Sequence, residues 1–138
     1  MISIKFVCMK HTLGKEERLK SKKLIEKLYE ERNSVKAYPL RMIFLQTDHT
    51  SEFPAQVGVS VPKRNFKLAV DRNEIKRLMR ESYRLQKEIV YNNLEEPYVF
   101  MISYIGKDKC TYDEIFLKME KLLTRFVSEV KNKKNEEV

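Results

Sequence analysis

The sequence predicts an α+β domain built on one sheet, and two stretches carry that expectation. Residues 55–61, "AQVGVSV", set Val57, Val59 and Val61 against Gln56, Gly58 and Ser60 in the two-residue period of a strand. Ile115, Phe116, Met119, Leu122, Leu123, Phe126, Val127 and Val130 recur at three and four, the stripe of a helix that buries one face. With 138 residues and 42% hydrophobic content, the chain is long enough for one domain with a real core.

The elements follow in order. Ser21 can cap a helix whose Leu24, Ile25, Leu28 and Tyr29 keep helical spacing, ending near Asn33. "SVKAYPLRMIFLQ" then alternates Leu40, Met42 and Phe44 against Arg41, Ile43 and Leu45, a strand that Pro39 interrupts or forces to an edge. "TDHTSEFP" is a polar loop, followed by the valine strand. Pro62 stops that strand, and Asn65 is placed to cap a long helix running to about Tyr91. "YVFMISYIG" is an apolar strand. Thr111 and Glu114 then form a T-x-x-E capping box for the last helix, and "KNKKNEEV" reads as a frayed, charged tail.

Charge is concentrated in the long helix and the turn before it. The net charge is +8, yet Lys63 to Lys87 holds nine basic and three acidic residues, leaving only +2 for the other 113 residues. On a helical wheel with Arg72 at zero, Lys76, Arg80, Asn73, Arg84 and Arg77 fall between roughly 40° and 140°. Ile75, Leu78, Met79, Leu85 and Ile89 fall between roughly 220° and 340°, so one face packs and the other is a cationic strip. Asp71, Glu74 and Glu81 flank the apolar face instead. A helix face built for solubility mixes both signs, and this arc excludes acids. A polyanion is the fitting partner, because each neutralised phosphate releases a condensed counterion.

Other chemistries find little footing. Cys8 and Cys110 stand far apart with no metal-ligand spacing and read as reduced thiols, and His49 has no partner His or Cys in reach. No apolar run approaches the ~20 residues that span a bilayer, so no membrane partner is expected. The opening "MISIKFVCMK" lacks the organisation of a secretory signal, so a cytoplasmic protein is expected. A protein-only nuclease needs clustered acids to hold metals, whereas Arg77 and Glu81 read as an i,i+4 ion pair. A DNA-reading helix-turn-helix needs a short helix before the recognition helix, and here a strand and Pro62 precede it. Composition alone leaves open a non-catalytic ribosomal or chaperone-like RNA binder.

The ordered segment Val57 to Arg84, "VGVSVPKRNFKLAVDRNEIKRLMRESYR", resembles the bacterial ribonuclease P protein component. That family pattern is a valine-rich strand, a basic turn, here Lys63 and Arg64, and a helix carrying Arg-Asn-x-x-Lys-Arg-x-x-Arg. "ERLKSKKLIEKLYEE" looks like the family's first helix, and the resemblance covers roughly Lys10 to Val130. It divides the chain into an N-terminal extension at 1–8, an RNA-binding domain at 9–130 and a charged tail at 131–138.

The resemblance implies a four-stranded sheet with three helices and a left-handed βαβ crossover, where general rules favour the right-handed form. It implies a subunit of the endoribonuclease ribonuclease P that partners the catalytic RNA in removing the 5′ leader of precursor tRNA. The RNA performs the hydrolysis with magnesium, which the protein alone is not expected to bind, and the protein has no catalytic residue of its own. Lys63, Arg64, Lys67, Arg72, Asn73, Lys76, Arg77, Arg80 and Arg84 are the implied RNA-binding set. The resemblance implies that Tyr29 and Ile25 line a leader cleft, Tyr29 by stacking on a base, and Phe44 on the neighbouring strand is a further candidate for its lining. Glu74 stands where many members carry a basic residue, but its wheel position lies off the cationic arc.

Overall fold

Residues 13–14, 17–47 and 54–137 are described by a computed structural model of the chain. Cys8, His49 and the expected extension at 1–8 lie outside the described residues. Ser21 accepts from the Leu24 amide at 3.4 Å and starts helix α1, Lys22–Glu31. The helix ends just short of Asn33 because Arg32 turns left-handed, at φ 51°, and returns its N–H to the Leu28 carbonyl. Glu17 to Lys20, which resembled helix, form an arm along the sheet instead: the Leu19 amide donates to the Val57 carbonyl at 2.9 Å.

The stretch around Pro39 holds two strands rather than one. β1, Asn33–Ala37, and β2, Leu40–Gln46, are antiparallel and pair Asn33 with Phe44 and Ala37 with Leu40. Tyr38 and Pro39 make the tight turn between them, joined by a cis peptide bond. β3 is Ala55–Ser60 and β4 is Tyr98–Tyr104. The order across the sheet is β1-β2-β4-β3, with β2 and β4 antiparallel and β3 and β4 parallel. A parallel pair needs a crossover, and the basic helix supplies it.

That helix is not one element. α2, Ala69–Gln86, and α3, Glu88–Tyr91, are separated at Lys87, so four helices occur among the described residues where three were expected. Asn65 is not its cap: Leu68 holds the cap position without a side-chain bond, and the Asn65 side chain donates through Nδ2 to the Gly106 carbonyl at 3.4 Å. α4, Tyr112–Glu137, begins as expected, with the Glu114 amide on Thr111 Oγ1 at 3.3 Å. It runs through most of the stretch read as a frayed tail, because Lys, Asn and Glu there include no Gly or Pro to stop a helix.

The alternation of the strands sends side chains into two cores. Met42, Phe44, Val57, Phe100 and Ile102 meet Ile75, Met79, Ile115, Met119 and Phe126 from α2 and α4. Phe126 is the hub, with its ring 5.0 Å from Phe44, 5.5 Å from Tyr98 and 5.4 Å from Phe100. On the opposite face Ile43, Leu45, Val99 and Met101 meet Leu19 and Leu28, with Leu24 and Ile25 alongside. The second core is smaller, and among the described residues no helix lies over the β3 side of that face.

Candidate nucleic-acid interface

The basic turn is held from beneath. Phe66 is buried and packs edge-on against Tyr104 at 5.7 Å, while the Asn65 and Phe66 amides fold back onto the Pro62 carbonyl. With the apolar member of the turn inside, Lys63, Arg64 and Lys67 are left exposed. Arg72 closes the arrangement, donating to the carbonyls of Phe66 at 2.8 Å and Lys67 at 2.9 Å. Its guanidinium fixes the turn while its charge remains at the foot of the strip.

The strip itself is rotated from the expected position. Ile75, Met79, Ser82, Tyr83 and Gln86 are the buried residues of α2, and their wheel positions centre near 320° rather than 280°. Leu78 is half-buried and Leu85 exposed, while Tyr83 is buried against Phe100. Asn73, Arg77 and Arg80 are exposed, and Arg72, Lys76 and Arg84 are half-buried along the margin. Arg84 is engaged by Glu81 at 2.7 Å, an i,i+3 pair in place of the expected Arg77–Glu81 pair. That hydrogen bond holds the Glu81 carboxyl below its usual range. Asp71 and Glu74 are both answered by Lys109, at 2.7 and 3.2 Å, which also raises the Lys109 ammonium pKa. Asp71 and Glu74 thus share one ammonium from the loop after β4.

Lys87, the last cation of the basic segment, points inward. It meets Glu17 of the arm at 2.5 Å, and the Tyr91 hydroxyl donates to the same carboxylate oxygen at 2.5 Å. The Lys87 ammonium also lies 5.4 Å from the Tyr91 ring centroid. Both charges are buried, and burial pushes the Tyr91 and Tyr83 phenols far up. This latch was not foreseen, since only Glu17 beside the apolar Leu19 hinted that the arm turns one face inward. Its effect is to hold Arg18 and Lys20 across from α2. Between them and Arg80 lies a cleft of about 280 Å³, floored by Val57, Gly58, Val59 and Met101.

The residues implied for a leader cleft part company. Tyr29 is 41% exposed on α1, and Ile25 is half-buried against the smaller core. Phe44 is 3% exposed and faces the other side of the sheet, in the main core, so it cannot line a cleft with them. Alternation along β2 is the reason: Ile43, not Phe44, shares a face with α1. Ser60 and Ser103 hydrogen-bond at 2.8 Å on the uncovered part of that face. Among the described residues no group of three His, Cys, Asp or Glu could hold a metal, and no helix is long and apolar enough to cross a membrane. Cys110 is a free, half-buried thiol.

The family model for ribonuclease P matches residues 13–127. A ribonuclease P protein component of Porphyromonas gingivalis is 37% identical over 89 residues, 64% of this chain and 64% of that relative. One from Chlorobium phaeobacteroides is 38% identical over 89 residues, 62% of this chain and 61% of its own length. The matched stretch is therefore somewhat under two thirds of either relative. Among solved structures, the RNase P protein of Thermotoga maritima has a TM-score of 0.64 at 19% identity, covering 79% of this chain and 96% of that one. The Staphylococcus aureus RNase P protein has a TM-score of 0.61 at 22% identity, covering 78% and 92%. Both likenesses are to the fold.

Proposed function

The chain belongs to the ribonuclease P protein family, and on that premise we propose that it is the protein subunit of ribonuclease P, acting with a catalytic RNA in 5′ maturation of precursor tRNA in the cytoplasm. The observation that carries the reading is the cationic wall itself. Lys63, Arg64 and Lys67 on the turn continue into Asn73, Arg77 and Arg80 on α2, all exposed, with Arg72 and Lys76 beside them. Such a surface tracks phosphates without base preference, which suits a large folded RNA. Arg84 belongs to the wall but shares its charge with Glu81.

The protein binds and positions; it does not cut. The acids beside the wall do not fit a metal held by the protein, because Asp71, Glu74 and Glu81 are engaged by Lys109 and Arg84. Magnesium is proposed to act through the RNA subunit, where it supplies the activation of water and the charge stabilisation that phosphodiester hydrolysis needs. The exposure of Tyr29 beside Ile25 on α1 supports a role in stacking on a leader base.

Mixing the purified chain with a bacterial ribonuclease P RNA tests this directly. Precursor tRNA cleavage at low magnesium should rise when the protein is added, and RNA-free protein should cleave nothing. A protein that binds RNA yet leaves the cleavage rate unchanged would instead be a general RNA-binding protein of the ribosomal or chaperone-like kind.

A further inference from the structure

The cleft between the arm and α2 has a chemistry of its own. Its rim carries Arg18 and Lys20 on one side and Arg80 on the other, and no acid lines it. Its floor is apolar, and Met101 lies close over Gly58, where a Cβ would come within 2.8 Å of Met101 Cε. At about 280 Å³ it lies just below the roughly 300–1,000 Å³ of small-molecule sites, room for one planar ring system rather than a stack.

A third feature is the sheet edge. Among the described residues the arm touches β3 through one bridge, Arg18 to Val57, and the Val57 carbonyl is taken by the Leu19 amide. Val59 lies two residues on, so its peptide N–H and C=O project to the same side. No bridge to Val59 on that side occurs among the described residues. The cleft therefore offers a donor and an acceptor at its wall, apolar surface above and below, and cations at both ends.

From this combination we infer that the cleft takes one unstacked nucleotide of single-stranded RNA, its base against Val59 and Met101 and its flanking phosphates on Arg18, Lys20 and Arg80. The inference rests on the chain being an RNA-binding subunit, but the site is separate from the Tyr29 surface of α1. Glu17 acts as a positioning residue, because its bond to Lys87 holds the arm side of the cleft in place.

The test uses the full chain without catalytic RNA, so it fails separately from the ribonuclease P reading. Two RNA pentamers serve as probes, one wholly abasic and one abasic except for a central uracil. The single base should strengthen binding by about fivefold or more, as burial of roughly 40 Å² of apolar surface gives, and shift the methyl resonances of Leu19, Val59 and Met101. Val59→Trp fills the cleft from a half-buried strand position and should abolish that gain, with the thermal melt confirming a folded variant. Equal binding of the two pentamers overturns the proposal. So does a gain that survives Val59→Trp but disappears in Tyr29→Leu, or methyl shifts confined to Leu24, Ile25 and Leu28 of α1. In the holoenzyme, loss of precursor affinity by Val59→Trp assigns the nucleotide to the leader, and loss of catalytic RNA affinity assigns it to that RNA. Loss of neither also overturns the proposal.

Discussion

Glu17 and Lys87 meet at 2.5 Å in the interior of the protein although 70 residues separate them in the chain. A buried pair offsets the desolvation of both charges only while it is intact. The Tyr91 hydroxyl shares the same carboxylate oxygen, so the three groups act as one fastening between the arm and the break that separates α2 from α3.

Removing half of that fastening should be costly. Glu17→Gln keeps an acceptor for Tyr91 but strands the Lys87 cation, and unfolding in urea should show a loss of about 3 kcal/mol. Adding Lys87→Met removes the stranded charge and should regain most of the loss. A double variant as unstable as the single one would show that the pair is not what holds the arm.

The cationic wall should reveal itself in salt dependence. Lys76, Arg77 and Arg80 changed together to Ala should flatten the slope of log K against log salt for RNA binding by about 2 to 3, at roughly 0.7 to 0.9 per lost phosphate contact. Arg72 is left out because it also holds the turn through Phe66 and Lys67. Lys131, Lys133 and Lys134 changed together to Ala form the control. Equal losses would mean that net charge, rather than the wall, binds RNA.

Tyr29→Leu separates leader contact from RNA affinity at large. Because Tyr29 is 41% exposed, the change should leave the thermal midpoint almost unmoved. Stacking is worth about 1–3 kcal/mol per base, so holoenzyme affinity for precursor with a leader of several nucleotides should fall at least fivefold. Affinity for mature tRNA should hold. Parallel losses for both, or a falling midpoint with no change in affinity, would remove Tyr29 from the leader site.

Alkaline titration probes the core. Burial raises the Tyr83, Tyr91 and Tyr104 phenols above their ordinary value of 10.0. Their neutral forms are favoured in the folded state, so the associated stability is fully present below about pH 10 and is lost as pH rises beyond it. Each group should contribute a downward slope of about 1.4 kcal/mol per pH unit in that range. Phenolate absorbance should show these three tyrosines ionising only as the protein unfolds. Their titration at ordinary pH in the folded protein would mean that water reaches them.

Much of this architecture was legible in the sequence, and the exceptions share a cause. Alternation at 55–61 placed β3, and spacing at 115–130 placed α4, because in both the apolar residues alone define the buried face. In α2 they do not. Ser82 and Gln86 go inside because Ser82 Oγ reaches the Met79 carbonyl and Gln86 Nε2 reaches the carbonyls of Ser82 and Phe116. Polar residues satisfied in this way displace Leu85 to the surface and turn the strip by roughly 40°. Phe44 was misplaced because β2 is apolar on both faces, and period alone does not say which face meets α1. The latch was invisible because its halves belong to distant segments, each locally plausible as helix.

Sheet edges carry a hazard that has nothing to do with RNA. β3 is an outer strand with valines along it, the kind of edge that invites a second chain to add itself as a further strand. In this protein the arm occupies that edge at Val57, and the open stretch beyond it is ringed by Arg18, Lys20 and Arg80. Two copies approaching edge to edge would bring six cations together before any backbone bond could form. The same charges that attract a polyanion thus act as a guard against self-association, strongest at low salt and whenever the protein is without its nucleic-acid partner.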